Sequence, residues 1–410
     1  MNVTQGNMFW NEQVEILQKY PYLSRDKKCD VLVIGGGING ALTAYMQAKQ
    51  GAKVIVVDKN ILGYGATMQT DGTVQTRVDF TSKITKSINE KDIFKCNSLC
   101  KQALEDIKDV INELAMDEDC KQYIKSLGFK NTDLMYYSDR ITQKISMYKN
   151  FEKFGKDNSK IEYLEQDPLI NLRTAIIFPE SAAIMNPYLL TQLIFLHINK
   201  LENVEIYENT EITNITCKDE VVESVSNNRF KIFSKSIILT NGIHILEYIK
   251  DENITLNKTF TLITESVNGL DKNITNVVAK DINFPNTTIS FTEDNRIVIC
   301  GEDIKQNERM VNDNYAIRFA DGKYKKMYLA FKKMLNISDE VKVTNCFSGM
   351  YLETKDGLPI IDELENMPNV YCNLNTGKNG IIFSMIGARM LRNVSKRYHE
   401  KDMYLFRENR

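Results

Sequence analysis

The stretch that decides the fold is 30-DVLVIGGGINGALTAYMQAKQGAKVIVVDK-59. An apolar run, Val31 to Ile34, meets three consecutive glycines. A segment of helical spacing follows, and a second apolar run, Val54 to Val57, stops at Asp58. Gly35, Gly37 and Gly40 stand in GxGxxG spacing, after a strand and at the opening of a helix, the setting that gives this motif its specificity. Each glycine has its own physical task. The first allows a tight turn, the second lets the main chain approach a pyrophosphate, and the third lets helix and strand pack closely. The helix that begins at Ile38 and Asn39 turns free N–H groups and the positive end of its dipole toward phosphate. Asp58 stands 18 residues past Gly40, at a strand end where its carboxylate can accept ribose hydroxyls, with Lys59 beside it. A purely structural glycine turn would not need that acid. The unit reads as a dinucleotide site.

Working outward, the chain of 410 residues is long enough for two domains or one domain with a large insertion. A formal net charge of −2 offers no basic surface for nucleic acid. No apolar run approaches the ~20 residues of a membrane span. The N-terminus lacks a basic segment followed by an apolar core, so no secretory signal is expected. The eight cysteines form no CxxC pair and read as the reduced thiols of a cytoplasmic protein. Only His197, His244 and His399 are present, which argues against a zinc site or a histidine-dependent hydrolase. Residues 81–158 are charged and helix-like. Within them Leu104, Ile107, Val110, Ile111 and Leu114 recur at helical spacing, as surface helices of an added domain would.

FAD and NAD both fit the opening unit. A nicotinamide enzyme would continue with further strand–helix units, whereas this chain runs at once into 63-GYGATMQTDGTVQTRVD-79. Its small and hydroxyl-bearing residues can lie against a long ligand extending from the pyrophosphate. At the far end, Asn379-Gly380 opens an apolar helix, IIFSMIGARML, whose N-terminus could face a flavin pyrimidine ring. Reduced flavin carries negative charge near N1, which a helix dipole would stabilise. The plainer reading of Gly377 and Gly380 is an ordinary turn before a core helix.

Taken together, MFWNEQ, DVLVIGGGINGALTAY, GYGATMQTDGTVQ, SAAIMNPYLLTQL, SIILTNG, ICGED, SGMYLETKDGLPII, NGIIFS and MYLFRENR resemble one family. It is the D-amino-acid oxidase/glycine oxidase/sarcosine oxidase family of FAD-dependent oxidoreductases. GGGINGA is also similar to the flavin subunit of glycerol-3-phosphate dehydrogenases. The resemblance implies an α/β fold, with a Rossmann-type FAD-binding domain and a second α+β substrate domain built on a mixed sheet. Residues 28–90, 165–250 and 345–400 would form the discontinuous FAD-binding domain, and 91–164 and 251–344 the substrate domain.

By position, the resemblance gives Gly35, Gly37 and Gly40, with Ile38 and Asn39 between them, the pyrophosphate. It gives Asp58 and its neighbour Lys59 the adenosine ribose, and Ile212 main-chain contacts to adenine. Gly65, Ala66 and Thr67 would lie along the flavin side, and Thr240, Asn241 and Gly242 match an alanine-threonine-glycine turn near the FAD. Gly377, Lys378, Asn379, Gly380 and Ile381 would bring the last helix to the flavin O2 edge. Three departures stand out. Tyr351, in Gly349-Met350-Tyr351, takes the place of the arginine that binds substrate carboxylate in glycine-oxidase-like relatives. Gly349 takes the place of the cysteine that attaches FAD in sarcosine-oxidase-like relatives, with Cys346 three residues away, so non-covalent FAD is expected. Lys378 replaces a glycine. It would stabilise anionic flavin or assist reaction with oxygen, and a solvent-exposed turn lysine is the plainer account.

Oxidising an amine carbon needs little from the protein beyond placement, because the cofactor accepts the hydride. Tyr351 is the first candidate for substrate contact, against a half-buried aromatic at a domain seam. Arg77, after the flavin-side loop, could bind a carboxylate or phosphate, against the surface ion pair that is the common fate of an arginine. The expected function is FAD-dependent oxidation of an amine or amino acid, with oxygen or another electron acceptor. The alternatives are dehydrogenation of a hydroxy compound such as glycerol-3-phosphate, and electron transfer as a flavin subunit. No metal, nucleic acid or membrane span is expected.

Overall fold

The computed structural model describes residues 5–79, 88–155, 160–166, 170–218, 220–249, 253–283, 286–306 and 313–410. Two sheets organise them. The first contains five parallel neighbours in the order Val370–Leu374, Lys231–Leu239, Lys27–Ile34, Val54–Val57, Val204–Tyr207. Strand Ile360–Glu363 pairs antiparallel at one edge, and the hairpin Ile212–Lys218/Val221–Ser226 extends from Lys231–Leu239. Parallel strands are covered on both faces, so they read as continuous apolar runs rather than alternations. Val54, Ile55, Val56 and Val57 are all fully buried.

Helices Ile38–Lys49, Pro187–Ile198 and Gly380–Met390 share one core with this sheet through Ala41, Leu42, Leu190, Ile382 and Ile386. The opposite face packs Leu32, Ile34, Ile55 and Val57 against Leu239, Leu352 and Leu374. Asn186 caps Pro187–Ile198 by accepting from Leu189 N, with proline at the first helical position. Because the parallel strands end together, their loops collect along one edge, where ligands of such sheets bind.

The second sheet has ten strands and is mixed. Its path runs Gln5–Gly6, Val343–Glu353, Thr255–Ser266, Arg296–Lys305, Thr288–Phe291, Val277–Asp281, Lys130–Ser138, Thr174–Ile184, Thr73–Gln75, and Glu162–Leu164 pairs off Thr174–Ile184. Only Val277–Asp281 with Lys130–Ser138 is parallel. Helix Asp313–Met334 packs on Thr255–Ser266 and Arg296–Lys305 through Met327 and Phe331.

Sheet membership cuts across the ranges read from sequence. Thr73–Gln75, Thr174–Ile184 and most of Val343–Glu353 fall in ranges assigned to the cofactor domain, yet pair into the ten-stranded sheet. Pairing is a non-local choice that a strand's own residues do not carry. The boundary read at 250/251 lies outside the described residues. The stretch 81–158, read as helical, holds helix Glu90–Met116 with Leu104, Ile107, Val110, Ile111 and Leu114 buried. It also holds a strand, Lys130–Ser138, and there the helical reading was wrong. The aromatic and apolar run Leu134 to Tyr137 is buried by sheet pairing. Among the described residues no helix is long and apolar enough to cross a membrane.

Candidate cofactor and substrate site

The glycine turn is built for main-chain approach. Gly35 has φ +112°, and a Cβ there would stand 2.7 Å from the Thr240 carbonyl group. A Cβ on Gly40 would stand 1.8 Å from Gly35 O, so only glycine fits under the turn. Thr240 fixes it from the neighbouring strand, its Oγ1 donating to Ile34 O and Gly35 O at 2.9 Å each. Gly37 brings no side-chain cap to the following helix, and Thr67 Oγ1 accepts from Ile38 N at 3.0 Å. Thr67, from the flavin-side loop, thus lies at the helix N-terminus.

At the end of the second parallel strand, Asp58 accepts from Gly36 N and Asn60 N, both at 2.7 Å. Burial pushes its carboxyl above the usual range, against the pull of these two donors and of Lys59 and His244. Lys59 Nζ lies 2.9 Å from His244 Nε2, so His244 belongs to this end of the site.

One cleft runs from this turn to the last helix. Gly35, Gly37, Ile38, Asn39, Asp58, Lys59, Gly65, Ala66, Thr67, Ile212, Thr240, Asn241 and Gly242 line it. So do Gly349, Tyr351, Gly377, Lys378, Gly380 and Ile381. The first and last thirds of the chain therefore meet at one site. Gly40 lies beneath the turn rather than on the surface of the cleft. Asn379 is occupied otherwise, because its amide exchanges two hydrogen bonds with the Gln75 main chain (Gln75 N to Oδ1 3.0 Å, Nδ2 to Gln75 O 2.9 Å). It ties the start of the last helix to the edge strand of the other sheet.

Arg77 is not brought to the cleft. Its guanidinium stacks 4.1 Å from the Phe178 ring centroid and 5.1 Å from that of Phe154, and burial lowers its pKa. Lys378 is not the exposed turn lysine of the plainer account. Its side chain is 17% exposed and its Nζ lies 2.9 Å from Asp303 Oδ2, an ion pair off the hydrogen-bond direction. Burial works against the ammonium, but the Asp303 carboxylate overrides it and holds the Lys378 pKa above its ordinary value. Tyr351 Oη donates to the same oxygen at 3.1 Å, and burial with Asp303 beside it keeps the phenol protonated.

Sequence reasoning missed three residues here. Asp303 ends the segment ICGED, Asp71 and Gln69 stand inside the flavin-side loop, and nothing local marks any of them as facing a cleft. Asp71 is 5% exposed and accepts from Thr73 N and Oγ1. Burial pushes its carboxyl upward. Gln69 accepts from Met350 N at 3.2 Å.

The residues present fit a long polar cofactor. Asn39 Oδ1, Gln69 Nε2 and Asn241 Oδ1 are buried without a hydrogen-bond partner among the described residues, and all three residues line the cleft. An unmet buried polar atom costs about 1–3 kcal/mol, which a ligand with matching groups removes. Gly349 also bears on attachment. A Cβ there would stand 2.6 Å from Gln69 Cβ, so a cysteine at this place would displace Gln69.

A parallel sheet with a glycine turn, sharing its cleft with a mixed sheet, is the arrangement of a dinucleotide-binding protein. The family model described as DAO, FAD dependent oxidoreductase, matches residues 30–393, and the chain belongs to that family. It is an FAD-dependent oxidoreductase. Among solved structures it is similar to glycine oxidase from Geobacillus kaustophilus, with TM-score 0.74 and 16% identity over 92% of this chain and 96% of that one. It is also similar to L-alpha-glycerophosphate oxidase from Mycoplasma pneumoniae with FAD bound, with TM-score 0.67 and 17% identity over 92% and 96%. A curated relative, YhfW of Bacillus subtilis (strain 168), described as a Rieske 2Fe-2S iron-sulfur protein, is 37% identical over 71 residues. That match spans 17% of this chain and 14% of the relative.

Proposed function

We propose that this enzyme oxidises an amine or amino acid to an imine, with FAD held in the cleft without a covalent bond. When bound, FAD supplies the two-electron acceptor that takes the hydride of the amine carbon. The N–H proton goes to solvent. Water then adds to the imine carbon and the C–N bond breaks, leaving a carbonyl compound and the freed amine or ammonia. Dioxygen or an external electron carrier closes the cycle.

The chain's residues divide the work. Gly35, Gly37 and the first turn of the helix after them receive the pyrophosphate, Asp58 the ribose, and the Ile212 main chain the adenine. Gly65, Ala66, Thr67 and Asn241 would hold the length of the cofactor, and the helix N-terminus at Gly380 and Ile381 would supply positive potential to its flavin end. Tyr351 and Lys378 border the substrate. The single observation that carries the amine reading is the fate of the cations. Of the lysines lining the cavity beside Tyr351, Lys378 is charge-paired with Asp303 and Lys280 with Asp79, so neither is an uncompensated cation for a phosphate. A glycerol-phosphate substrate, as the name of one structural neighbour would suggest, finds less support there. Eight unpaired thiols suit a reducing cytoplasm.

The test is anaerobic flavin reduction by a panel of amines, amino acids, hydroxy acids and glycerol-3-phosphate. Bleaching by amines supports the proposal, and bleaching by hydroxy compounds alone sinks it. Tyr351→Phe should raise KM about tenfold, the loss expected from one hydrogen bond of ~1.4 kcal/mol, and leave flavin content unchanged.

A further inference from the structure

Beside the cofactor cleft lies a second cavity, which shares Tyr351, Gly377 and Lys378 with it. Its remaining wall is rich in ionisable groups: Asp79, Lys280, Asp281, Asp303 and Glu353. Both lysines have a carboxylate partner, although the Lys378 ammonium makes no hydrogen bond among the described residues. Lys280 Nζ sits 3.1 Å from Asp79 Oδ2 and 2.8 Å from Gln75 Oε1, and Lys378 pairs with Asp303. Asp281 and Glu353 meet only neutral donors, from Asn283 and Asn257 respectively, and neither has an ion pair among the described residues. The wall therefore carries two carboxylates in excess of its cations.

Asp303 is the pivot. Its Oδ2 takes both the Tyr351 hydroxyl and the Lys378 ammonium, while its Oδ1 is buried with no hydrogen-bond partner among the described residues. A buried carboxylate oxygen left without a donor is costly, and an N–H group arriving there removes that cost. The same carboxylate cancels the cation a substrate carboxylate would seek. A carboxylate entering this cavity would meet Asp281, Glu353 and Asp303 with no uncompensated cation among the described wall residues, Arg140 acting on Asp281 only from outside that wall, and like charges set side by side in a desolvated site are a strong means of rejection.

Resting on the amine reading of this site, we infer that Asp303 is its specificity-determining residue and selects amines with no carboxylate on the reacting carbon. The best fit is an aliphatic diamine, whose second ammonium would face Asp281 and Glu353. Asp303 offers Oδ1 to the substrate nitrogen and withholds Lys378 from acids. Removing its charge does two opposite things at once: the diamine loses an acceptor, and Lys378 becomes available to a carboxylate.

The experiment titrates two probes, putrescine and benzoate, into the oxidised holoenzyme and reads the visible flavin spectrum, with competition between them as a cross-check. Wild type should bind putrescine and ignore benzoate. Asp303→Asn should weaken putrescine about tenfold or more and gain benzoate by a similar factor, the scale of one charge-assisted contact. Asp303→Glu, which keeps the charge, should keep the wild-type preference. Flavin content and melting temperature of each variant check that it is folded. Wild type binding benzoate as tightly as Asp303→Asn, or binding neither probe, overturns the inference, as does an unchanged preference in a folded Asp303→Asn. Reduction is read separately. If putrescine binds with the expected preference but no amine bleaches the flavin, the selectivity stands and the oxidation chemistry falls.

Discussion

The two halves of the cleft are made of different material. On the parallel sheet the contacts are main chain: a glycine at φ +112°, a second that tolerates no Cβ, and a threonine hydroxyl locking the turn. Toward the mixed sheet they are charged side chains only partly matched, with Tyr351 and Lys378 meeting on a single oxygen of Asp303 while its other oxygen has no hydrogen bond among the described residues. A main-chain cradle can serve any pyrophosphate-bearing ligand and has little room to vary. A side-chain wall sets charge and shape for one substrate, and can change while the fold stays the same.

The largest expected effect breaks the cradle. In Gly40→Val the new Cβ lies 1.8 Å from Gly35 O, a backbone atom that cannot swing away. The cost exceeds the about 1–3 kcal/mol of ordinary overpacking. Flavin content measured by absorbance ratio should fall by roughly a hundredfold. Retention of full FAD content would show that the turn is not the cofactor seat.

Next comes the wall. Lys378→Met removes the only cation paired with Asp303 among the described residues and leaves a largely buried carboxylate. Breaking such a pair costs about 3–5 kcal/mol, and the lower end applies because both side chains keep some exposure. Urea unfolding should show the loss, with FAD content little changed in the fraction that remains folded. Adding Asp303→Asn to Lys378→Met should recover part of it, since no charge is then left unpaired. A double variant no more stable than Lys378→Met would mean the two side chains do not act as a pair.

The smallest effect concerns the excess carboxylates. Burial pushes the Asp281 carboxyl from an ordinary 3.8 up to about 6, and Asp139 adds to the shift. Its pKa is raised in the folded chain, so protonated Asp281 favours the fold below about 4, and that contribution fades as pH rises through about 6. Asp281→Asn should flatten this part of the stability–pH curve and be the more stable protein above pH 6, with slopes differing by at most about 1.4 kcal/mol per pH unit. Identical curves between pH 4 and 7 would remove Asp281 from the set of strained carboxylates.

Much of the cofactor side was legible in the residues. GxGxxG followed by an acid at a strand end is a local pattern, because strand, turn and helix are consecutive, although the steric demand on Gly35 comes from the distant Thr240 and only that on Gly40 from its own turn. The last helix was legible for a similar reason, from its apolar run behind Asn379-Gly380. Arg77 was read as facing the ligand because it follows the flavin-side loop. It instead stacks on Phe178 of strand Thr174–Ile184 and Phe154 of helix Lys144–Gly155, 101 and 77 positions away, with no spacing rule joining them. Lys378 and Asp303 lie 75 positions apart, and no spacing rule joins them. Lys378 looked like an exposed turn residue until Arg296–Lys305 was laid beside it.

By itself the sequence determined the strand–turn–helix–strand unit of residues 30–58 and the apolar helix behind Asn379-Gly380, because each depends on contacts between residues near in the chain. Only the tertiary structure decided that Val343–Glu353 pairs with Thr255–Ser266 in the mixed sheet, and that Tyr351, Asp303 and Lys378 share one buried charge. Such partners come from three separate segments, and what each side chain meets depends on strand pairing, which is settled only when the whole core has formed.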